Sequence, residues 1–264
     1  MLSKDWIKLT QRGSMYRIGQ STAMITVGAL AKLWITIFNR CLISNKDRLS
    51  KILEQRRSNP KPLISVSNHC SCLDDPFFIG ALLSLRDIIR RDQMRWGLGA
   101  HDVMFKSNLH TMFFHSGKIL PIVRGHGIYQ PVMDFALDML NNCKWVHIFP
   151  EGKVLDNYRP VGRLKWGVSR LIMECKKIPQ VVPIFLEGME RVLPNYSPYV
   201  PRVNQTIGIA VGDNLDFSEL ISQLKSSGSS NAQIRSVIAK RIQDELNKLA
   251  RICPTLDNPS SKAS

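Results

Sequence analysis

Short apolar runs alternate with helix-length segments along most of this chain, and that alternation constrains the fold more than any other feature. Six runs are short enough for strands and rich in β-branched or aromatic residues: 63–67 (LISVS), 94–100 (MRWGLGA), 117–123 (GKILPIV), 145–149 (WVHIF), 181–186 (VVPIFL) and 206–211 (TIGIAV). Between and after them, apolar residues recur at helical spacing over 77–89, 101–115, 130–142, 161–175 and 234–249. Strands alternating with helices predict an α/β fold. Pro121 puts its run at a sheet edge or a bulge, because proline cannot donate to the ladder. Gly97-x-Gly99 is not a dinucleotide fingerprint, since Asp102 stands where the third glycine belongs.

The stretch 66–76, VSNHCSCLDDP, concentrates the polar chemistry. It joins a strand end to a helix start, with Asp75 as the expected cap and Pro76 at the first helical position. His69 stands on that connection, and Asp74 lies near enough to the helix start to return toward it. A histidine held in one tautomer by a carboxylate suits a general base. A satisfied structural histidine beside an ordinary cap is the other reading of the same residues. Arg124 and Gly125 form a second corner, where an arginine fork and open backbone amides suit a phosphate. Glu151, in Pro150-Glu151-Gly152, is a third polar group at a strand end, where ligands gather in α/β sheets.

With 264 residues and a formal net charge of +15, the chain can bury one sizeable core and points to an anionic partner. Nucleic acid, an acidic membrane and a phosphorylated substrate all qualify. No RNA-binding aromatic signature or helix-turn-helix stands out, which sets nucleic acid aside. Cys41, Cys70, Cys72, Cys143, Cys175 and Cys253 contain no Cys-x-x-Cys pair, so no zinc or thioredoxin-type site is expected. Cys70 and Cys72 flank Ser71 beside His69. A Cys–His nucleophilic dyad could be drawn there, and small packing residues are the simpler reading.

Residues 1–46 are basic, with Asp5 the sole acid, and they carry the uncharged run IGQSTAMITVGALA. That run is shorter than the roughly 20 residues a spanning helix needs. Such a start suits mitochondrial targeting or an amphipathic helix lying in the membrane interface, with Trp34 and Phe38 as anchors. Pro60 and Pro62 close a polar segment that separates residues 1–46 from a domain over 47–254. The loop bearing Tyr196 and Tyr199 is a further candidate for membrane contact. Residues 224–230 read as a linker and 255–264 as a frayed tail.

Taken in order, NHCSCLDDP, GKILPIVRG, FPEGK and VVPIFLEGM resemble the glycerolipid acyltransferase family over about residues 63–193. HIFPEGKV, RLKWGVSRLI and GIYQPVMDF, with the DDP after the histidine, resemble its mitochondrial phospholipid–lysophospholipid transacylase branch, which remodels cardiolipin. Gly117 and Arg124 stand seven apart with Pro121 between them, a spacing that this branch shares. His126 stands where the branch is expected to carry an acid. The resemblance implies a single mixed-sheet domain flanked by helices, with the N-terminal segment associating with a membrane. It implies His69 and Asp74 as the catalytic pair and Arg124 with Gly125 as the holder of a lipid phosphate. Glu151 and Gly152 fall in the acceptor site, Glu151 binding hydroxyls or positioning Arg124, and Asn68 shapes the turn that presents His69. Backbone amides near the helix start at Pro76 are expected to stabilise the oxyanion.

The implied substrates are a phospholipid such as phosphatidylcholine and a lysophospholipid such as monolysocardiolipin, with no cofactor and no metal. An anionic phospholipid membrane is the implied partner, nucleic acid is not, and an oligomer is left open. The implied location is the inner or outer mitochondrial membrane, facing the intermembrane space. An acyl-CoA-dependent lysophospholipid acyltransferase and a non-catalytic anionic-lipid-binding module are the alternatives.

Overall fold

A computed structural model describes residues 14–90, 93–156 and 158–254, with side chains from residue 21 onward. Lys4, Lys8, Arg12 and the expected tail at 255–264 lie outside the described residues. Strands β1 (Arg40–Ser44), β2 (Leu63–Ser67), β3 (Trp96–Ala100), β4 (Ile119–Ile122), β5 (Trp145–Ile148), β6 (Gln180–Glu187) and β7 (Thr206–Val211) form one sheet. Their order is β1-β7-β6-β2-β5-β3-β4. Neighbours run parallel except β6 and β7, so the sheet is mixed. Pro121 lies on β4, the edge strand.

Helices flank the sheet: α1 (Ser14–Ile37), α2 (Lys46–Ser58), α3 (Asp74–Leu82), α4 (Leu85–Ile89), α5 (His101–Met104), α6 (Asn108–Ser116), α7 (Pro131–Asn141), α8 (Gly167–Glu174), α9 (Met189–Val192), α10 (Ser218–Ser226) and α11 (Asn231–Ile252). Covered on both faces, β2 and β5 are buried throughout. Their polar residues satisfy one another: His147 bonds Ser65 at 2.8 Å and Ser67 at 3.3 Å, and Trp145 Nε1 donates to Ser65 at 2.7 Å. Burial pushes the His147 imidazole down to about 3, so it stays neutral.

Several elements differ from the sequence reading, each for a local reason. The sheet begins before residue 47, because Arg40–Ser44 pairs with β7 as its outermost strand. The helix after His69 starts at Asp74, not at Pro76, and the 77–89 pattern breaks in two. Ser84 ends the first part and caps α4 in a reciprocal box with Asp87. Asp75 is not a cap: its carboxylate is gripped by Arg95, with Nε at 2.8 Å from Oδ1 and Nη2 on Oδ2. Ser107 likewise splits 101–115 by capping α6. Of 161–175 only Gly167–Glu174 is helical, since the backbone of Val161 bonds Asn247 and that of Lys165 bonds Pro150. The expected linker at 224–230 begins inside α10.

Helix α1 packs directly on α3. A Cβ at Gly80 would lie 2.7 Å from the Lys32 backbone nitrogen, so only glycine permits the approach. Lys32 Nζ then donates to the carbonyls of Gly80, in the last turn of α3, and of Leu83, its C-cap, both at 3.0 Å. No helix among the described residues is long and apolar enough to cross a membrane. Strands β2, β5 and β6 run the same way, so their carboxyl ends share one edge of the sheet. His69 follows β2 and Glu151 follows β5 on that edge.

Candidate active site

The turn after β2 is held from three directions, by two side chains and one backbone amide. Asn68 is fully buried and pairs with the Leu186 backbone like an added strand residue: its Nδ2 donates to the carbonyl and its Oδ1 accepts the amide, both at 2.8 Å. Asn68 therefore shapes the turn, as expected, and its amide is fully committed to β6. Leu155 N–H donates to the His69 carbonyl at 2.8 Å. Asn195 Nδ2 donates to the Cys70 carbonyl at 2.9 Å and to Asp156 at 2.8 Å. Nothing local in the sequence marks Asn195, which lies 125 residues beyond Cys70.

Asp74 is the centre of this turn. It is 0% exposed, and its Oδ2 accepts from His69 Nδ1 at 2.8 Å, Cys70 N–H at 2.7 Å and Ser71 N–H at 3.0 Å. The Cys70 thiol donates to Oδ1 at 3.4 Å. Four donors thus offset the cost of burying a carboxylate. A carboxylate at Nδ1 leaves the lone pair of the neutral ring on Nε2. Nε2 has no hydrogen-bond partner among the described residues, and the side chain is 20% exposed.

The same bonds remove two sequence-based options. Burial, with Asp74 alongside, pushes the Cys70 thiol far up, and burial likewise raises Cys72. A nucleophilic thiolate is therefore disfavoured, and Cys70 packs in the core. All six cysteines are free thiols. The amides of Cys70 and Ser71 are spent on Asp74 and that of Asp74 on the Ser71 carbonyl, so these donors near the helix start cannot serve an oxyanion.

Two groups from the segment after β5 complete the surroundings. Phe149 stacks on the His69 ring, centroids 4.1 Å apart and planes at 20°, and makes a T-shaped contact with His147 at 4.6 Å between centroids. The sequence reading missed this ring. Glu151 is buried, 6% exposed, and its Oε1 accepts the His69 amide at 3.2 Å. Burial raises its carboxyl to about 6, against the lowering effect of that bond. Glu151 Oε2 has no partner among the described residues. Glu151 thus holds the backbone of His69 and makes no bond to Arg124, whose positioning is one of the two roles expected for it. Gly152, at φ +72°, lets the chain turn away immediately afterwards.

Arg124 stands apart from this cluster at the end of β4. Its fork grips Asp102, with Nε at 3.1 Å from Oδ1 and Nη2 on Oδ2. The loop that carries it is built rather than loose. Gln130 accepts the Val123 amide at 2.9 Å and donates to the Gly127 carbonyl at 2.8 Å, and Gly125 takes φ +87°. His126 is exposed on the same loop. The structure thus brings Asn68, His69, Asp74 and Glu151 together, whereas Arg124 makes no bond to any of them.

Residues 43–187 match the family described as Acyltransferase. The chain is 36% identical to tafazzin of Drosophila melanogaster over 249 residues, covering 93% of this chain and 65% of that protein. It is 38% identical to taffazin of Dictyostelium discoideum, over 75% of this chain and 70% of that one. An N-acylphosphatidylethanolamine synthase of Arabidopsis thaliana is also 38% identical, over 76% and 72% respectively. The fold resembles the crystal structure of the 1-acyl-sn-glycerophosphate acyltransferase of Thermotoga maritima at TM-score 0.52 and 14% identity, covering 91% of this chain and 86% of that one.

Proposed function

The chain belongs to the glycerolipid acyltransferase family, in its tafazzin branch, and from that premise we propose that it moves an acyl chain from a phospholipid to a lysophospholipid without coenzyme A. The observation that carries the reading is the His69–Asp74 pair, with Nδ1 tied to a buried carboxylate and Nε2 without a partner among the described residues. Nε2 takes the proton from the free hydroxyl of the lysophospholipid. The oxygen attacks the ester carbonyl of the donor, and the bond from that carbonyl to the donor's glycerol oxygen breaks. Nε2 then returns its proton to the departing alkoxide. One ester is consumed and one formed, so no nucleotide enters the balance. Asp74 stabilises the imidazolium that exists between the two proton transfers. Arg124 holds a lipid phosphate, exchanging it for Asp102, with Gly125 leaving the backbone open beside it.

The resemblance of the sequence motifs supports phosphatidylcholine as the proposed donor, monolysocardiolipin as the proposed acceptor and a mitochondrial membrane as the proposed place of cardiolipin remodelling. Exposed apolar residues support a membrane-bound reading. Leu30, Leu33 and Ile37 form a stripe along the outer side of α1, and Leu109, Met112 and Phe113 form another on α6, which packs against α1. Each keeps between 46% and 69% of its surface exposed. Ridges of this kind suit a monotopic protein lying in the interface.

The Arabidopsis relative favours a second reading by its name, acyl transfer to the amine of phosphatidylethanolamine. Incubation of the purified protein with phosphatidylcholine, monolysocardiolipin and phosphatidylethanolamine, without coenzyme A, separates the readings. Acyl esters on cardiolipin are the expected product, and N-acyl lipid marks the second reading. Transfer only on addition of acyl-CoA removes the transacylase reading.

A further inference from the structure

Asp74 holds His69 through one oxygen, and two backbone amides aim that oxygen, those of Cys70 at 2.7 Å and Ser71 at 3.0 Å. Each amide belongs to a planar peptide whose carbonyl points the opposite way, so fixing the carbonyl fixes the N–H. The first peptide, His69–Cys70, is held at its carbonyl by the Leu155 amide at 2.8 Å. The second, Cys70–Ser71, is held at its carbonyl by Asn195 Nδ2 at 2.9 Å. A side chain thus does for the second peptide what the backbone does for the first.

Asn195 is itself held. Its loop closes through the Arg202 amide, which donates to the Val192 carbonyl at 2.7 Å, and the Ser71 hydroxyl donates to the Leu193 carbonyl at 3.0 Å. The second proton of Nδ2 goes to Asp156 at 2.8 Å, the residue after Leu155. Two acceptors therefore converge on Nδ2, whereas the buried Oδ1 has no partner among the described residues. This decides which way the amide faces, since reversing it would set an oxygen against the Cys70 carbonyl and the Asp156 carboxylate. One residue after β6 joins the turn after β2 to the segment after β5.

We propose that Asn195 is a positioning residue for acyl transfer: by holding the Cys70 carbonyl it turns the Ser71 amide onto Asp74 Oδ2, and so keeps that carboxylate on His69 Nδ1. The role rests on the His69–Asp74 reaction proposed above, and it gives Asn195 no contact with either lipid. Without Asn195 the Cys70–Ser71 peptide is free to rotate, and Oδ2 loses one of its three N–H donors. The ring then loses the alignment that keeps the Nε2 lone pair on the hydroxyl to be deprotonated.

The test reads both turnover and the ring. Nuclear magnetic resonance of the full chain, carrying nitrogen-labelled histidine at alkaline pH, reports which ring nitrogen bears the proton, and the His69 signals are assigned by their loss in His69→Ala. The wild type is expected to show the proton on Nδ1. Asn195→Ala is expected to lower kcat about tenfold with both KM values kept within about twofold, and to move the His69 signals toward a mixture of the two tautomers. Asn195→Asp keeps the shape but sets an acceptor against two acceptors, and is expected to lose more. Asp156→Asn still accepts from Asn195 and is expected to stay within about threefold of wild type. If Asn195→Ala does not fold, Asn195→Ser, with one hydroxyl in place of two amide protons, is read in the same way. Wild-type kcat per folded molecule with unchanged His69 signals, whatever the loss of resistance to urea, overturns the proposal and leaves Asn195 a fastener of its loop. A raised KM at normal kcat overturns it too. If the wild type transfers no acyl chain at all, the reaction reading fails, and the ring signals alone decide the positioning role: moved by Asn195→Ala it stands, unmoved it falls.

Discussion

Asp74 Oδ2 stands 2.8 Å from His69 Nδ1, and the same oxygen takes the amide protons of Cys70 and Ser71. One carboxylate therefore sets the tautomer of the ring and the path of the turn. Asp74→Asn keeps an acceptor and a similar shape but presents an amide where the charge was. It is expected to slow acyl transfer by roughly 10²- to 10⁴-fold while the protein stays folded. Initial rates beside a thermal unfolding curve check this. A folded Asp74→Asn protein with near-normal rates would remove Asp74 from the chemistry.

The next residue predicts the opposite pattern. Asp75 is gripped by Arg95, whose side chain is 5% exposed and also bonds the Gly117 carbonyl at 2.7 Å. Asp75→Ala strands a buried guanidinium and is expected to cost about 3 kcal/mol of stability. Activity per folded molecule should persist, as read by urea denaturation and active-fraction kinetics. Loss of turnover at unchanged stability would mean that the two aspartates have been assigned the wrong way round.

Glu151 makes stability depend on pH in a stated direction. Its carboxyl sits at about 6 in the folded protein against an ordinary 4.5. Between those values the folded chain holds a proton that the unfolded chain has lost. The stabilisation is complete below about 4.5 and is lost as pH rises through about 6, a change on the order of 2 kcal/mol. Glu151→Gln still accepts the His69 amide and should flatten that interval. Denaturant midpoints from pH 4 to 7.5 decide the matter, and an identical slope in the variant contradicts it.

Phe149 packs its face on the His69 ring at 4.1 Å. Phe149→Leu keeps an apolar side chain and loses the stack, which is worth about 1 kcal/mol. A fall in kcat of roughly three- to tenfold is expected, with KM values retained, because the ring steadies His69 and is not assigned to either lipid. A raised KM with normal kcat would instead make Phe149 part of the lipid site.

Much of this site was legible because its signals are local. His69 and Asp74 lie five residues apart on a strand-to-helix turn, and Pro121 on an edge strand follows from chemistry alone. What escaped depends on distant partners. Asp-Pro reads as a helix start, yet Asp75 is claimed by Arg95, 20 residues on. Glu151 was expected to bind hydroxyls or to position Arg124, and its Oε1 turns to the His69 backbone, 82 residues earlier. The outer strand β1 was hidden because Arg40–Ser44 continues a basic, apolar segment and pairs only with Thr206–Val211, far along the chain. Apolar spacing ran unbroken through Leu83 and Ser84, although Ser84 and Asp87 already carry the pattern of a new cap. Stacking of Phe149 on His69 leaves no trace in spacing, since both are simply residues that follow buried strands.

The most direct measurement follows an isotope-labelled acyl chain from phosphatidylcholine to monolysocardiolipin by mass spectrometry, in the absence of coenzyme A. Wild-type protein is predicted to form labelled cardiolipin and lysophosphatidylcholine in equal amounts, and His69→Ala, shown folded by circular dichroism, is predicted to form neither. Undiminished transfer by the folded His69→Ala protein, or no transfer by the wild type, would contradict the account.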